Sequence, residues 1–557
     1  MKKLFIILLI FNYTSLINAQ PAVKWSKELK SNQAATGGGI YADLKGNAYG
    51  TANYDQYINL GAGYTYSASG SYKPMLVFGV DTSNGNPTWV SEIKPIAGCG
   101  CNYGVKINLT KTDNTGNLII AGYFCNCGTM AFGTQTLSAL SHQTFLAKYS
   151  KTGQLLWVKT KADVNNGSST ADYSIQTMTT DEFDNIYLSL SSNLVANFAG
   201  ISLNKGIHLI KLNANGNIIW AKQTYYQGGA GGFGIQNLEY LNNKLYACTA
   251  FIGNFVIDGQ TFSNNTTYSD AAVLKLDTSG LILNKIVIQS SEYDFQLNLQ
   301  LLPNASIVYI GHAYSSSGPS TATVSVGTNT IVTANDYDKL YFVKLDTSLN
   351  VLATKNINQN LVPYVVSHDL NSNIYLTASN FLANNIVDGV TIANTGSNIL
   401  TINNNLNVID AFKSTSFYVC ADKDANLYTT TNSTSVTING YGTSFTPSGP
   451  ETWSQFQIKL GSIITNIGTY SKLAGATVYP NPSGTGLYNL KINESIKQKH
   501  NIVITITNTL GQNFNNIVYT IEDNQTLQVN LANFASGLYT ITAIIDGKNY
   551  NAKLEKE

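Results

Sequence analysis

Two sequence markers recur along this chain at the same interval. The first is a turn of Asp, Asn or Ser between an apolar strand that often contains Lys and a strand that often carries Trp, with copies at Asp81, Ser150, Asn213, Asp277, Asp346 and Asn403. The seventh copy is the Lys-Leu pair that precedes Gly461 at the end of the array. The second is a polar turn before a Tyr-rich strand, with copies at Tyr49, Ile119, Tyr187, Tyr246, Tyr309, Tyr375 and Tyr428. Positions 81 to 461 span 380 residues in six steps and positions 49 to 428 span 379, so both markers give seven units of about 63 residues.

Each unit has the texture of short β-strands. Runs such as 185–190 and 272–276 are rich in apolar and aromatic residues and are separated by Asn, Asp, Ser and Gly turns. No sustained helical period occurs, so the sequence predicts an all-β fold. A unit of this length holds about four strands, and radial repetition protects sheet edges, which favours a seven-bladed β-propeller. A linear β-solenoid is the competing architecture, but its coils are normally shorter.

The repeated region, residues 20–465, resembles the bacterial secreted β-propeller repeat families in its spacing, its Lys-Leu-Asp-x-x-Gly turn and its Trp. The strand around Trp25 begins the region without a hairpin partner before it, and the strand 456–460 ends it without one after it. Pairing these two strands removes the last open sheet edge. We therefore predict antiparallel pairing between residues near 23–29 and 455–461.

The chain begins with an export signal. Lys2 and Lys3 precede an apolar run over 4–11, and Ala19 supplies the small residue at a cleavage site, so residues 1–19 are predicted to be a signal peptide. A membrane anchor is the alternative, but eight apolar residues fall short of the roughly 20 that a bilayer span needs. With 33 basic and 32 acidic residues, the chain carries no basic excess, which argues against a nucleic-acid partner.

The sequence pattern changes after residue 475, beyond which the two repeat markers no longer occur. A linker over 466–475 leads to Tyr-Pro-Asn-Pro at 479–482 and then to six or seven short strands, a pattern that indicates a small immunoglobulin-like β-sandwich over 476–557. The motifs resemble those of the type A sorting domain of the type IX secretion system, a system of the Bacteroidetes. The residues that match the family motifs are Pro480, Asn481, Pro482, Gly484, Asn508, Gly511, Gly537, Tyr539 and Lys553.

This resemblance implies a signal for translocation across the outer membrane, and a secreted or surface-displayed protein. Its partner would be the type IX secretion machinery, followed by surface lipopolysaccharide where the domain is cut off and replaced. A plain accessory sandwich domain is the alternative. Together the signal peptide and the tail describe one export route.

Four of the six cysteines form two Cys-x-Cys pairs in the second repeat: Cys99, Cys101, Cys125 and Cys127. In an extended strand both side chains of a pair share one face, which suits cross-strand disulfides or a four-thiolate metal site. An exported chain favours disulfides, with three connectivities possible. Cys248 and Cys420 lie in different repeats and are predicted to be buried core residues.

No catalytic motif is present in the sequence. The five His are scattered, and no zinc-protease, nucleophile-elbow or phosphate-loop pattern occurs, so no catalytic residue, metal site or cofactor is predicted. The Asp-rich turn at 422–426 resembles a calcium loop but lacks its Gly and bidentate Glu, which favours a turn-forming role. The recurrent Trp are expected to pack between blades rather than to stack on sugars.

These observations predict a non-enzymatic extracellular binding module on a propeller, with a glycan or a protein as its ligand. The alternative is a secreted propeller enzyme that acts on extracellular polysaccharide or peptide. Carboxylates or His clustered at an axial pocket would favour the enzyme, whereas a wide polar or aromatic surface would favour binding.

Overall fold

The computed structural model divides into two compact units, with the boundary between residues 464 and 465. Every regular element among the described residues is a β-strand. No helix in this part of the chain is long and apolar enough to span a bilayer. The structure describes residues 21–31, 38–68, 73–96, 104–124, 128–139, 143–163, 175–192, 195–227, 234–263, 268–315, 318–333, 337–357, 361–380, 385–392, 396–433, 437–441, 443–448, 453–461, 476–492, 502–508, 513–514, 517–523, 525–545 and 548–556.

The strands of the N-terminal unit are short because polar turns interrupt the chain so often. In chain order they begin with β1 (Val23–Ser31), β2 (Gly39–Ala42), β3 (Ala48–Asn53), β4 (Tyr57–Gly61), β5 (Tyr64–Ser67), β6 (Met75–Val80), β7 (Pro87–Pro95), β8 (Val105–Thr112), β9 (Leu118–Phe124), β10 (Gly128–Phe132), β11 (Gln135–Ala139), β12 (Gln143–Tyr149), β13 (Leu155–Asp163), β14 (Ile175–Thr180), β15 (Ile186–Ser192), β16 (Ala196–Phe198), β17 (Ile201–Leu203), β18 (Gly206–Leu212), β19 (Ile218–Gln227), β20 (Ile235–Leu241) and β21 (Lys244–Phe251). They continue with β22 (Asn254–Ile257), β23 (Gln260–Ser263), β24 (Asp270–Asp277), β25 (Ile282–Ser290), β26 (Tyr293–Leu301), β27 (Ile307–Tyr314), β28 (Thr323–Val326), β29 (Asn329–Val332), β30 (Asp338–Leu345), β31 (Val351–Ile357), β32 (Leu361–His368), β33 (Ile374–Asn380), β34 (Asn385–Val387), β35 (Val390–Ile392), β36 (Gly396–Ile402), β37 (Val408–Lys413), β38 (Cys420–Ala421), β39 (Leu427–Ser433), β40 (Ile438–Gly440), β41 (Thr443–Phe445) and β42 (Trp453–Leu460).

Seven antiparallel sheets each contain four strands in the same spatial order. We call these the first, second, third and fourth strand of a sheet. We number them along the chain: sheet 1 is β2-β3-β6-β7, sheet 2 β8-β9-β12-β13, sheet 3 β14-β15-β18-β19, sheet 4 β20-β21-β24-β25, sheet 5 β26-β27-β30-β31, sheet 6 β32-β33-β36-β37 and sheet 7 β38-β39-β42-β1. The all-β, antiparallel character expected from the sequence is confirmed.

A short hairpin connects the second and third strands of each sheet. In four cases the hairpin pairs with the fourth strand of the preceding sheet: β10–β11 with β7, β16–β17 with β13, β22–β23 with β19 and β28–β29 with β25. The hairpin β4–β5 of sheet 1 pairs with β1, the fourth strand of sheet 7. Pairing of this kind covers an edge strand that would otherwise present unpaired backbone groups. The hairpins β34–β35 and β40–β41 form two-stranded sheets of their own.

The fourth strand of sheet 7 comes from the opposite end of the unit. β1 pairs antiparallel with β42, from Val23 opposite Leu460 to Ser31 opposite Trp453. The pairing predicted for residues near 23–29 and 455–461 is therefore confirmed. The Gly461 N–H extends it by donating to the Ala22 carbonyl oxygen at 2.7 Å.

Neighbouring sheets are joined by the Trp residues of the fourth strands. The indole Nε1 of Trp157 in sheet 2 donates to the Ala214 carbonyl oxygen, 3.0 Å away in the turn between the third and fourth strands of sheet 3. Gly216 in that turn has a positive φ and lies so close to the Trp157 ring that a Cβ would be within 2.9 Å of it. The same arrangement recurs at Trp25 with Gly85, Trp89 with Gly153 and Trp220 with Gly280.

The C-terminal unit consists of two four-stranded antiparallel sheets, ordered β43-β44-β48-β47 and β46-β45-β49-β50. Alternating apolar residues of both sheets, including Leu490, Ile506, Leu527 and Ile541, form one hydrophobic core. The eight strands are β43 (Ala476–Tyr479), β44 (Leu487–Ile492), β45 (Ile502–Asn508), β46 (Asn513–Phe514), β47 (Tyr519–Asp523), β48 (Thr526–Asn530), β49 (Gly537–Ile545) and β50 (Lys548–Lys556).

Candidate binding pocket and C-terminal signal

A cavity of about 580 Å³ lies in the N-terminal unit, where the first strands of six of the seven sheets line it. Its wall combines aromatic side chains such as Tyr41 and Tyr418 with polar ones such as Asn108, Ser367 and Gln300. Concave sites with a few polar groups in a largely apolar wall are typical of ligand pockets. This cavity is therefore the candidate binding site of the unit.

The turns that follow the first strands are built around an Asp carboxylate. In sheet 3, Oδ1 of Asp181 accepts the backbone N–H groups of Phe183 and Asn185, and Oδ2 accepts the Asn185 amide at 2.8 Å. The Tyr187 hydroxyl donates to the same Oδ2 at 3.1 Å. Matching sets of turn bonds occur at Asp43, Asp113, Asp369 and Asp422.

Third-strand lysines pair with some of these carboxylates. Lys148 lies 2.8 Å from Asp113, and Lys459 lies 3.2 Å from Asp422. Burial by itself would raise the pKa of Asp113, but the hydrogen bonds from Lys148 and Asn117 outweigh it and the pKa is lowered. The lowered pKa values of Asp113 and Asp422 keep these two carboxylates ionised at neutral pH. Their oxygens accept the hydrogen bonds that hold the turns, which is the turn-forming role expected for the Asp422 segment.

Hydrogen bonds between first strands tie the wall of the pocket together. The Ala42 N–H of sheet 1 donates to Cys420 Sγ of sheet 7 at 3.1 Å, and the Ala421 N–H donates to Ser367 Oγ of sheet 6 at 3.1 Å. His368 of sheet 6 donates from Nδ1 to Gln300 Oε1 of sheet 5 at 2.8 Å, because an amide oxygen only accepts. The wall is thus continuous across sheets 1, 7, 6 and 5.

The charged groups of the wall are few: Asp43, which accepts the N–H groups of its own turn, and the residues Lys111 and Glu239. Lys111 of sheet 2 and Glu239 of sheet 4 form an ion pair at 3.5 Å. Burial and, to a smaller extent, the nearby Lys111 charge lower the pKa of His368 to about 4, so the imidazole is neutral at physiological pH. Its Nε2 is then a hydrogen-bond acceptor. Burial also raises the pKa of the Cys420 thiol to about 12, which keeps that thiol protonated.

The wall residues were not predicted from the sequence motifs, although they share a positional signal. Tyr41, Lys111, Ser367 and Cys420 each lie two residues before the Asp that opens the turn at the end of a first strand. Because side chains alternate across a strand, the same offset from the same turn places them on one face. The offset, compared across the repeats, is therefore the sequence signal that groups these residues.

The cysteine predictions have mixed outcomes. Cys99, Cys101, Cys125 and Cys127 lie outside the described residues, so their pairing stays a prediction. Cys248 is fully buried in the core, as expected. Cys420 is only half-buried and lines the pocket, so the expectation of a core residue was wrong for it. Cys420 instead lies at the offset from its turn Asp that also brings Tyr41, Lys111 and Ser367 to the pocket wall.

In the C-terminal unit, the first and last family motifs lie together. Asn481 donates from Nδ2 to the Lys553 carbonyl oxygen at 2.7 Å and accepts from the Glu555 N–H at Oδ1, also at 2.7 Å. The Ser483 N–H donates to the Glu555 carbonyl oxygen at 2.9 Å. The Pro480–Gly484 segment therefore lies along β50, the strand that contains Lys553.

The other motif residues lie around β49. Gly537 begins that strand, and the Tyr539 hydroxyl donates to the Ala535 carbonyl oxygen at 2.8 Å. Asn508, at the end of β45, is directly opposite Tyr539. Gly511 lies outside the described residues.

The two units together define an exported all-β protein with a separate C-terminal signal domain. Residues 477–557 match the family described as the secretion system C-terminal sorting domain, which confirms the resemblance to the type IX sorting domain. The protein is therefore exported through type IX secretion, with the secretion machinery as a partner, to the medium or the cell surface. No curated protein matches the chain.

Proposed function

We propose that the seven sheets are the blades of a β-propeller, and that residues 20–465 form this domain after removal of residues 1–19. The common strand order, the hairpins that cover fourth strands and the β1–β42 pairing support this arrangement. Residues 466–475 are then a linker, and 476–557 an immunoglobulin-like sorting domain.

We propose that the propeller is a non-enzymatic binding module whose ligand, a glycan or a protein segment, enters the pocket formed by the first strands. The observation that best supports this proposal is that six sheets contribute to one cavity of about 580 Å³ with a mixed aromatic and polar wall. A pocket assembled from strands that are remote in sequence and fixed by cross-sheet bonds is pre-organised, which lowers the entropic cost of binding.

The alternative is an enzyme acting on extracellular polysaccharide or peptide. Asp43, Glu239 and His368 are the wall groups suited to acid–base chemistry. Asp43 accepts hydrogen bonds from the backbone N–H groups of its own turn. Glu239 is paired with Lys111, and His368 is bonded to Gln300, so all three groups are engaged. These pairings favour binding over catalysis.

The test uses the full mature chain and a variant that fills the pocket. Asn108, an exposed wall residue at a β-bulge in β8, is changed to Trp, and Thr136→Trp on the exposed face of β11 serves as the control. A panel of oligosaccharides and short peptides is screened for binding and for product release. We expect a ligand that binds wild-type and Thr136→Trp but not Asn108→Trp, without turnover. Release of product, or equal binding by all three proteins, contradicts the proposal.

We further propose that the sorting signal is a folded surface rather than a linear peptide. The bonds from Asn481 to β50 support this, because they join motifs more than 70 residues apart in sequence. Pro480, Pro482, Gly484, Gly537, Tyr539 and Lys553 would then shape that surface, with Asn508 and Gly511 forming its middle turn. Removal of the domain and attachment of the propeller to lipopolysaccharide are the final steps that the family resemblance implies.

A further inference from the structure

The first strand of sheet 7 departs from the pattern of the other sheets. β38 has only two residues, whereas the other first strands have between four and nine. The residues that precede it, 414–419, leave the sheet and present two adjacent aromatic side chains. Phe417 is 47% exposed and Tyr418 is 56% exposed, and Tyr418 lines the pocket.

The repeat does not require an aromatic residue at the position of Tyr418. Tyr418 lies four residues before the Asp that opens the turn of sheet 7. The equivalent residues of the four other sheets with an Asp turn are Gly39, Leu109, Thr177 and Val365. Exposed large aromatic residues beside a cavity mark an interaction site. Sheet 7 thus differs from the other repeats at the place where an exposed aromatic side chain lies beside the pocket.

Buried hydroxyl groups hold this segment in a fixed conformation. The fully buried Thr377 donates from Oγ1 to the Phe417 carbonyl oxygen at 2.8 Å and accepts the Val365 N–H at 3.0 Å. The Tyr418 N–H donates to Ser416 Oγ at 3.1 Å, and Thr429 Oγ1 donates to the Tyr418 carbonyl oxygen at 2.8 Å. The Phe417 carbonyl and both backbone groups of Tyr418 are therefore held by hydrogen bonds.

The Phe417 ring contacts the ring of a third aromatic residue, Tyr364. The centroids of Phe417 and Tyr364 are 4.6 Å apart, and Tyr364 precedes Val365 at the bulge in β32. Thr377 thus positions both partners of this ring pair. Rigid aromatic side chains provide contact area at a low conformational-entropy cost, and their electron-rich faces attract groups with partial positive charge, such as the C–H bonds on one face of a sugar ring.

We propose that Tyr364, Phe417 and Tyr418, which we name the aromatic platform, stack on the rings of an uncharged sugar chain whose end enters the pocket. This inference rests on the proposed binding function and specifies its ligand. Asn108, Ser367 and the His368–Gln300 pair offer donors and acceptors for sugar hydroxyls. Lys111 is the one lysine among the described lining residues, and its pairing with Glu239 leaves no free cation for an acidic polymer.

The experiment measures binding of the full mature chain to neutral hexasaccharides of glucose, mannose and galactose by isothermal titration calorimetry, with a uronic-acid hexasaccharide as the charged counterpart. The variants are Phe417→Ala and Tyr418→Ala, with Tyr418→Phe as a conservative change. Phe183→Ala is the matched control, because Phe183 is 70% exposed but lies in the turn at the opposite end of a first strand.

We expect at least one neutral hexasaccharide to bind, with little dependence on salt. Each Ala variant should raise Kd by about tenfold or more, as for an aromatic residue central to a binding surface. Tyr418→Phe and Phe183→Ala should bind as wild-type does. Unchanged melting temperatures in the Ala variants will separate a loss of contact from unfolding.

Three results overturn the platform: no binding of any neutral hexasaccharide, wild-type affinity in both Ala variants, or preference for the uronic-acid chain with loss of binding in salt. The Asn108→Trp variant distinguishes an error in the platform proposal from an error in the proposal that the pocket binds a ligand. If that variant loses a ligand that both Ala variants retain, the binding function stands and the platform is wrong. If the Asn108→Trp variant also binds the ligand as wild-type does, both the binding function of the pocket and the platform are wrong.

Discussion

Trp25 and Lys459 donate hydrogen bonds to the same acceptor, the carbonyl oxygen of Thr82, at 3.0 and 3.1 Å. The two residues lie opposite each other in the pairing of β1 with β42, and Thr82 belongs to the turn between the third and fourth strands of sheet 1. The Trp25 ring also packs edge-on against Tyr428, 5.9 Å away. These two hydrogen bonds connect β1 and β42 of sheet 7 to sheet 1.

Replacing Trp25 with Ala should weaken this connection. The side chain is 9% exposed, so its loss leaves a cavity and removes the bond to Thr82. Removal of a buried Trp side chain typically costs about 3–5 kcal/mol of unfolding free energy. Urea denaturation followed by circular dichroism will measure the change. Trp453→Ala is the control, because Trp453 lies in the same strand pair but is only half-buried. An equal or smaller loss for Trp25→Ala would argue against the connection.

How much the sequence could predict depends on whether a feature repeats. The Trp and Gly of the turns recur in several units because each forms the same contact between sheets, so their spacing predicted strand-rich units and the partner of β1. The sorting-domain motifs were likewise recognisable, because Asn481 and Gly537 occur in a fixed order at the end of the chain.

Other features of the structure have no clear signal in the sequence. The hairpins that pair with a preceding sheet have strands as short as three residues, too few for a clear alternation. The Lys111–Glu239 pair joins residues 128 positions apart, and no local pattern indicates it. β38 has only two residues, and the irregular 414–419 segment before it breaks the strand pattern of the repeat.

A buried carboxyl group in sheet 5 should make stability depend on pH. Asp294 is fully buried, and burial raises its pKa well above the usual value, although the Tyr341 hydroxyl that donates to Oδ1 opposes this effect. The folded state therefore retains a proton that the unfolded chain loses near pH 4. The contribution of Asp294 to stability is highest below that pH and falls as pH rises toward the pKa of the folded state.

The substitution Asp294→Asn should remove this dependence, because Asn keeps the acceptor for Tyr341 without an ionisable proton. Thermal unfolding from pH 4 to pH 8 should give a flatter profile than wild-type, with higher stability at pH 7. Asp422→Asn is the control, because that carboxylate has a lowered pKa beside Lys459 and its neutralisation should destabilise. A steeper profile, or lower stability at pH 7, in Asp294→Asn would show that the buried carboxyl is ionised.

The number of reactive thiols tests the predicted disulfides. Cys248 and Cys420 are free, and burial raises the pKa of each thiol to about 12, so both should react slowly in the folded protein. Denatured, unreduced protein should expose two thiols if the other four cysteines are bridged. The double variant Cys248→Ser, Cys420→Ser should then expose none. Six reactive thiols in wild-type would exclude the bridges.

Export should depend on the contact between Asn481 and β50. Asn481→Ala removes both hydrogen bonds to that strand. We expect the variant protein to accumulate in the periplasm, with a several-fold lower amount in the medium and on the surface, measured by immunoblotting of cell fractions. Asn489→Ala is the control, because its side chain accepts a bond from Gln528 within the other sheet of the same unit. Equal export of both variants would contradict a folded signal that includes this contact.

The pocket exists only if the first and last strands of the N-terminal unit remain paired, since sheet 7 contributes to its wall. Hydrogen–deuterium exchange of the full mature chain, followed by mass spectrometry, tests this pairing directly. The closed arrangement predicts that the peptide covering Val23–Ser31 exchanges as slowly as the one covering Trp453–Leu460. Exchange of the first peptide at the rate of an unstructured segment, with the second still protected, would contradict the closed ring.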